Sequence, residues 1–302
     1  MKRVFRQFIT AILLLSAFSF RCLGEDTYTL ELNLEKGKIY TENLFSELNM
    51  TMNAMGNETS IDMLSEMTIN FEVIDQKNDI YDVRVSYQRI KINTTVPGTL
   101  APVSIDSDFP ENDTHKKLGD VFKSLVGIPI DVQLTRLGKV KSVDGTDRLV
   151  ECFDVLTNEQ LRQMFSQQFS ESAFRTSLQH LTAYYPEKPV AVNESWDVTM
   201  NYNSFGVDLV DKMHLTLIQV QDDIAILEDV GSIISPEGTD MHIQGIEAHV
   251  LANGEQTGII HLDMKTGWVV RSEINLKYKE NIKLMGHEIV ENFIVKSITT
   301  GK

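Results

Sequence analysis

Apolar and polar residues alternate along most of this chain. A period of two belongs to strands with one face buried and the other wet. It runs through Tyr28, Leu30, Leu32 and Leu34, through Ile69, Phe71 and Val73, and through Tyr81, Val83, Val85 and Tyr87. It returns in Trp196, Val198, Met200 and Tyr202, and again in Ile274, Leu276 and Tyr278. Turn-forming segments separate these runs: Asp75–Asp79, Gln221–Asp223 and Asn253–Gly254. The Asn-Gly pair readily takes the positive φ values of a tight hairpin. Long antiparallel meanders are therefore expected.

The middle of the chain breaks this rhythm. From about residue 158 to 183, Leu161, Phe165, Phe169, Phe174, Leu178 and Leu181 recur at three- to five-residue spacing, along one face of a helix. Thr157 or Asn158 can cap its start, and Pro186 and Pro189 enforce its stop. Shorter helices are expected at His115–Leu125 and around Thr146–Phe153. A sheet of many strands twists and curls. The expected fold class is thus α+β, mainly antiparallel β: a large curved sheet or open barrel covered by one long and one or two short helices. Hairpin layouts around Gly138 and Gly267 are similar, which suggests two diverged halves at about 25–156 and 188–300 within a single β-rich domain, 25–302.

Residues 1–24 have the parts of a secretory signal peptide. Lys2, Arg3 and Arg6 precede a mostly apolar Phe8–Phe20 stretch, and Cys22-Leu23-Gly24 offers small residues for cleavage between Gly24 and Glu25. The apolar stretch is shorter than the roughly 20 residues of a spanning helix. No transmembrane segment is expected after cleavage, and a periplasmic or cell-surface location follows. Lipidation at Cys22 is disfavoured by Arg21, a bulky cation where lipoprotein processing requires a small residue. Without Cys22, Cys152 has no partner for a disulfide and reads as a small buried apolar residue. The near absence of cysteine favours a bacterial envelope over a eukaryotic secretory route, where Asn49, Asn57, Asn93, Asn112 and Asn193 would begin glycan acceptor triplets. The chain holds 43 acidic and 28 basic side chains, a net charge of -15. That argues against a nucleic-acid partner, which needs a basic footprint.

With its signal, length, strand pattern and Asp263-Met264-Lys265-Thr266-Gly267-Trp268 turn, the chain resembles the bacterial lipoprotein-carrier class of the LolA/LppX kind, and exported bacterial families of unknown function. The resemblance spans roughly residues 25–300 and implies a concave apolar surface for a lipid or an acyl chain. It transfers no individual binding residue.

Linear motifs of catalysis are missing. Neither Gly37-Lys38 nor Gly138-Lys139 belongs to a phosphate loop, and no GxGxxG, GxSxG, SxxK or HExxH occurs. Asp106, Asp108, Glu111 and Asp113 alternate like calcium ligands, but Pro110 and a missing glycine point to a solvated acidic loop. His242 and His249 sit seven residues apart on one expected strand, so they face opposite ways. No catalytic residue, metal ligand or cofactor is assigned. Candidate ligand-lining residues are Met50, Met52, Met63 and Met67, whose flexible thioethers adapt to irregular apolar partners, with Trp196 and Trp268 as amphipathic anchors. The expected function is noncatalytic binding of a lipid-like hydrophobic or amphipathic ligand in the envelope. The alternative is a structural or protein-interaction module with a filled core, whose partner is another envelope protein.

Overall fold

The computed structural model describes residues 26–95, 102–112, 116–204, 207–243 and 246–302. The signal-peptide reading, Cys22, Asp113 and His115 lie outside them. Among the described residues no helix is long and apolar enough to cross a membrane.

The chain is α+β and mainly antiparallel, as the alternation predicts. Strands β1 (Thr27–Tyr28) and β8 (Val190–Ala191) form a small pair. All others belong to one sheet: β2 (Ile39–Ala54), β3 (Asn57–Lys77), β4 (Ile80–Thr94), β5 (Val103–Asp106), β6 (Ile130–Thr135), β7 (Val140–Asp144), β9 (Ser195–Ser204), β10 (Val207–Gln221), β11 (Ile224–Ile234), β12 (Thr239–Ile243), β13 (Ile246–Asp263), β14 (Val269–Leu284) and β15 (His287–Gly301). Their order is β7-β6-β4-β3-β2-β15-β14-β13-β11-β10-β9, with β5 beside β4 and β12 beside β13. The first long strand therefore pairs with the last, from Ala54 opposite Ile289 to Glu42 opposite Gly301.

The sheet does not close on itself. It curls until the helix Glu171–Thr182 lies against both edge strands, β7 and β9. Arg175 donates to the Val140 carbonyl, Thr182 Oγ1 to the Gly138 carbonyl at 2.7 Å, and His180 Nε2 lies 3.2 Å from Asp211 on β10. Side chains of both halves meet inside: Phe71, Tyr81 and Val83 share one core with Leu215, Leu227 and Ile260. Phe122, Phe153, Phe165 and Phe169 from the helical region complete it, with Phe153 and Phe165 stacked at 5.2 Å.

Three expectations need correction. The long helix over 158–183 is two helices, Glu159–Gln168 and Glu171–Thr182. Ser170 breaks it by capping the second one, accepting from the Ala173 N–H. Asn158 caps the first, accepting from Leu161. Asn253–Gly254 is no turn but lies mid-strand in β13; a Cβ at Gly254 would stand 2.3 Å from Tyr278 Cβ, so this glycine makes room for a neighbouring ring. Lastly, Leu30, Leu32 and Leu34 are buried alternately without joining a strand. Leu32 N–H bonds to Arg136 O and Asn33 N–H to Thr266 O, so this segment laces two hairpin ends and seals one end of the curl.

Gly138 should be the most sensitive position in this closure. Its φ is +68°, and a Cβ would stand 1.6 Å from the Thr182 carbonyl oxygen. Gly138→Ala is expected to lower unfolding free energy by about 2 kcal/mol or more in a urea titration. An unchanged midpoint would show that the helix is not seated there.

Candidate functional site on the inner face

Strand register assigns the described side chains of the curl to a face. Tyr40 and Glu42 on β2 point inward, so Leu44, Ser46, Leu48, Met50 and Met52 do too. Their partners on β3 are Met67 (to Leu44), Met63 (to Leu48) and Ile61 (to Met50). All four methionines singled out in the sequence thus share the inner face. Two apolar rows cross it. Met63, Leu48, Val295 and Leu276 form one; Ile61, Met50, Phe293 and Tyr278 form the next. Tyr278 and Phe293 stack at 4.3 Å with parallel rings. These residues are half-buried, in contrast to the sealed core around Phe71.

Trp268 and Trp196 do not join this group. Trp268 sits in the sealed core, its ring 5.0 Å from both Tyr40 and Phe71. Trp196 donates Nε1–H to the Tyr184 carbonyl at 3.0 Å, tying β9 to the segment after the last helix. Both are placed as anchors of the fold.

Sequence reasoning missed the acids. Glu42, Asp211, Asp229, Glu280 and Glu291 all occupy inward positions, while no lysine or arginine does so on the long strands among the described residues. Asp229 accepts from Gln256 Nε2 at 2.6 Å and Asp211 faces His180, yet one oxygen of each is buried with no partner. Glu42 is 1% exposed, and its Oε2 is likewise unpartnered. Burial pushes the Glu42 carboxyl up to about 8. Burial, opposed by the Gln256 bond and reinforced by Asp211, holds Asp229 up at about 6. The only signal in the sequence was an acid at an apolar parity, as in Leu209-Val210-Asp211 and Val230 preceded by Asp229.

Elsewhere the residues remain apart. Asp106 pairs with Arg89 at 2.7 Å and Asp108 with the same guanidinium at 3.3 Å. His242 lies on β12 and His249 on β13, so they are on two paired strands and the parity argument for one strand does not apply; the His242 side chain is outside the described residues. His249 and His214 pair with Asp240 and Asp197, each at 2.7 Å. Among the described residues no three His, Cys, Asp or Glu side chains gather in a metal-holding arrangement.

A model described as a family of unknown function (DUF6263) matches residues 78–269. No curated protein matches the chain in sequence. Among solved structures, that of lipid–protein interactions in lipovitellin is similar over 88% of this chain at 8% identity, with a TM-score of 0.46. The chain spans only 25% of that protein's length. The outer membrane protein opdK from Pseudomonas aeruginosa (6% identity, 89% of this chain and 100% of that one) and OccAB4 from Acinetobacter baumannii (6%, 89% and 99%) each score 0.22. At such scores these likenesses say nothing of what this chain does. The lipoprotein-carrier resemblance has no counterpart among the three.

The buried acids set the sign of the pH dependence. Glu42 is raised from 4.5 to about 8, so the folded state keeps a proton that the unfolded chain releases. The Glu42 contribution should be complete below pH 4.5 and be lost as pH rises toward 8, at up to about 1.4 kcal/mol per pH unit, with Asp229, Glu280 and Glu291 adding slope of the same sign. Glu42→Gln should remove the largest single share of the slope in denaturant titrations across this range, the remainder coming from Asp229, Glu280 and Glu291. A wild-type protein whose stability is flat or rises there contradicts the burial of Glu42.

Proposed function

The chain belongs to that family of unknown function, and we propose that it is a noncatalytic, exported binding protein that holds a hydrophobic or amphipathic ligand against the inner face of its curled sheet. The observation that carries this reading is the pair of half-buried apolar rows, Met63-Leu48-Val295-Leu276 and Ile61-Met50-Phe293-Tyr278. Except for Leu276, which meets the second buried cluster, none of these side chains packs against either buried cluster of the fold. An apolar chain laid across them would gain roughly 25 cal/mol per Å² of buried surface, before the entropic costs of binding. Methionines suit such a surface because their unbranched thioethers repack around different shapes.

The outer face supports an aqueous setting. Lys212, Glu255, Lys277 and Lys279 point outward along the same strands, where a membrane-spanning barrel would carry an apolar band. Export rests on the N-terminal sequence: Lys2, Arg3 and Arg6, the apolar Phe8–Phe20 stretch and the small residues before Glu25. A carrier in the manner of the lipoprotein-carrier class is the finer form of this reading.

Two measurements test it together. Nile red, a neutral apolar dye, should bind the purified protein and fluoresce, and native mass spectrometry should reveal a co-purified apolar mass. Met50→Lys and Met63→Lys should each weaken dye binding by about tenfold by setting a charge against the apolar rows, with small changes in melting because both sites are half-exposed. Absence of dye binding, or binding indifferent to both substitutions, overturns the proposal in favour of a module with a filled core.

A further inference from the structure

The inner face carries one feature that apolar binding does not require. One row beyond Ile61-Met50-Phe293-Tyr278, register places Glu291 opposite Met52 and Glu280 directly opposite Glu291. This row lies on the side of the hairpin turns at Met55–Gly56 and Met285–Gly286, away from the end sealed by Leu30–Leu34. Opposed like charges destabilise a sheet. Yet neither carboxylate has a hydrogen bond or ion pair among the described residues, and the inner face supplies no lysine or arginine to neutralise them. Burial raises both, Glu280 to about 7, with Glu291 adding to that shift by like charge.

A third acid faces the same region. Asp211 is 0% exposed, and its Oδ1 is buried without a partner. The charges of Asp211 and Glu280 both act on the Tyr202 hydroxyl, and the Tyr202 ring meets His180, which stands 3.2 Å from Asp211 Oδ2, edge-on at 5.2 Å. Tyr202, Tyr278 and Phe293 therefore share the inner face with carboxylates that no lysine or arginine accompanies, His180 standing at Asp211 alone. Deeper in the same interior, Glu42 repeats the pattern, fully buried and unpaired.

We infer that the ligand is a cationic amphiphile: an apolar chain along the methionine rows, with a protonated amine or quaternary ammonium head between Glu280 and Glu291. This deepens the proposed inner-face reading and rests on it. The head would neutralise the two opposed carboxylates while the ring faces of Tyr202 and Tyr278 receive its positive charge. An anionic head would set a third like charge beside the opposed Glu280 and Glu291. The chain fixes where the ligand lies and the head fixes which ligand is taken.

Matched dodecyl compounds separate the two levels of the argument. Dodecyltrimethylammonium, dodecyl maltoside and dodecanoate are titrated below their aggregation thresholds, with the heat of binding as the readout. The cation should bind roughly tenfold tighter than the neutral maltoside, with the anion weakest, and the preference should shrink as salt is raised. Glu280→Gln with Glu291→Gln should abolish the preference while leaving maltoside binding intact; circular dichroism confirms that the variant is folded. Equal affinity for all three heads, or a cation preference that survives the double substitution, overturns the cationic assignment and leaves the apolar reading standing. Failure of all three to bind overturns both.

Discussion

Everything in this molecule depends on the pairing of β2 with β15. Those strands come from opposite ends of the described chain, and their register from Glu42–Gly301 to Ala54–Ile289 merges two sets of hairpins into one sheet. Without that ladder, β3, β4 and β6 on one side and β10, β11 and β13 on the other would each keep an open apolar face. With it, the sheet can twist far enough for the two faces to share a core and for a single helix to rest against both edges. Such a pairing spans nearly the whole sequence, so it forms only after a large loss of chain entropy.

The curl creates two interiors with different chemistry. At the end laced by Leu30–Leu34, aromatic and aliphatic side chains fill the space, with Trp268 between Tyr40 and Phe71. Toward the far hairpin turns, the same inward parity presents methionines, stacked rings and carboxylates that stay half-open. A wholly structural core would favour Leu or Val at positions 280 and 291, since opposed unpaired acids cost stability. Their presence where the interior is reachable fits a binding surface more naturally than a packing one.

The strands were legible because alternation reports a half-buried sheet directly. Tyr81, Val83, Val85 and Tyr87 fall where the pattern places them, and so does the helix Lys116–Leu125. The methionines were legible as a group because they alternate on two neighbouring strands. What the sequence concealed is long-range. Asn253–Gly254 looks like a turn because local preference cannot see Tyr278 on the adjacent strand. The break at Ser170 hides inside an apolar periodicity that continues on both sides of it. Glu280 and Glu291 lie eleven positions apart, in strands that could have slid past one another, and only the observed register sets them face to face.

The most direct test of the account reads the inner face itself. With isotope-labelled methionine methyl groups, nuclear magnetic resonance follows Met50, Met52 and Met63 during titration with a long-chain ammonium amphiphile. Met164, 40% exposed on the helix Glu159–Gln168, serves as the reference. The account predicts saturable shifts of the three inward methyl groups with Met164 unmoved. Shifts that are absent, or that spread equally to Met164, would contradict it.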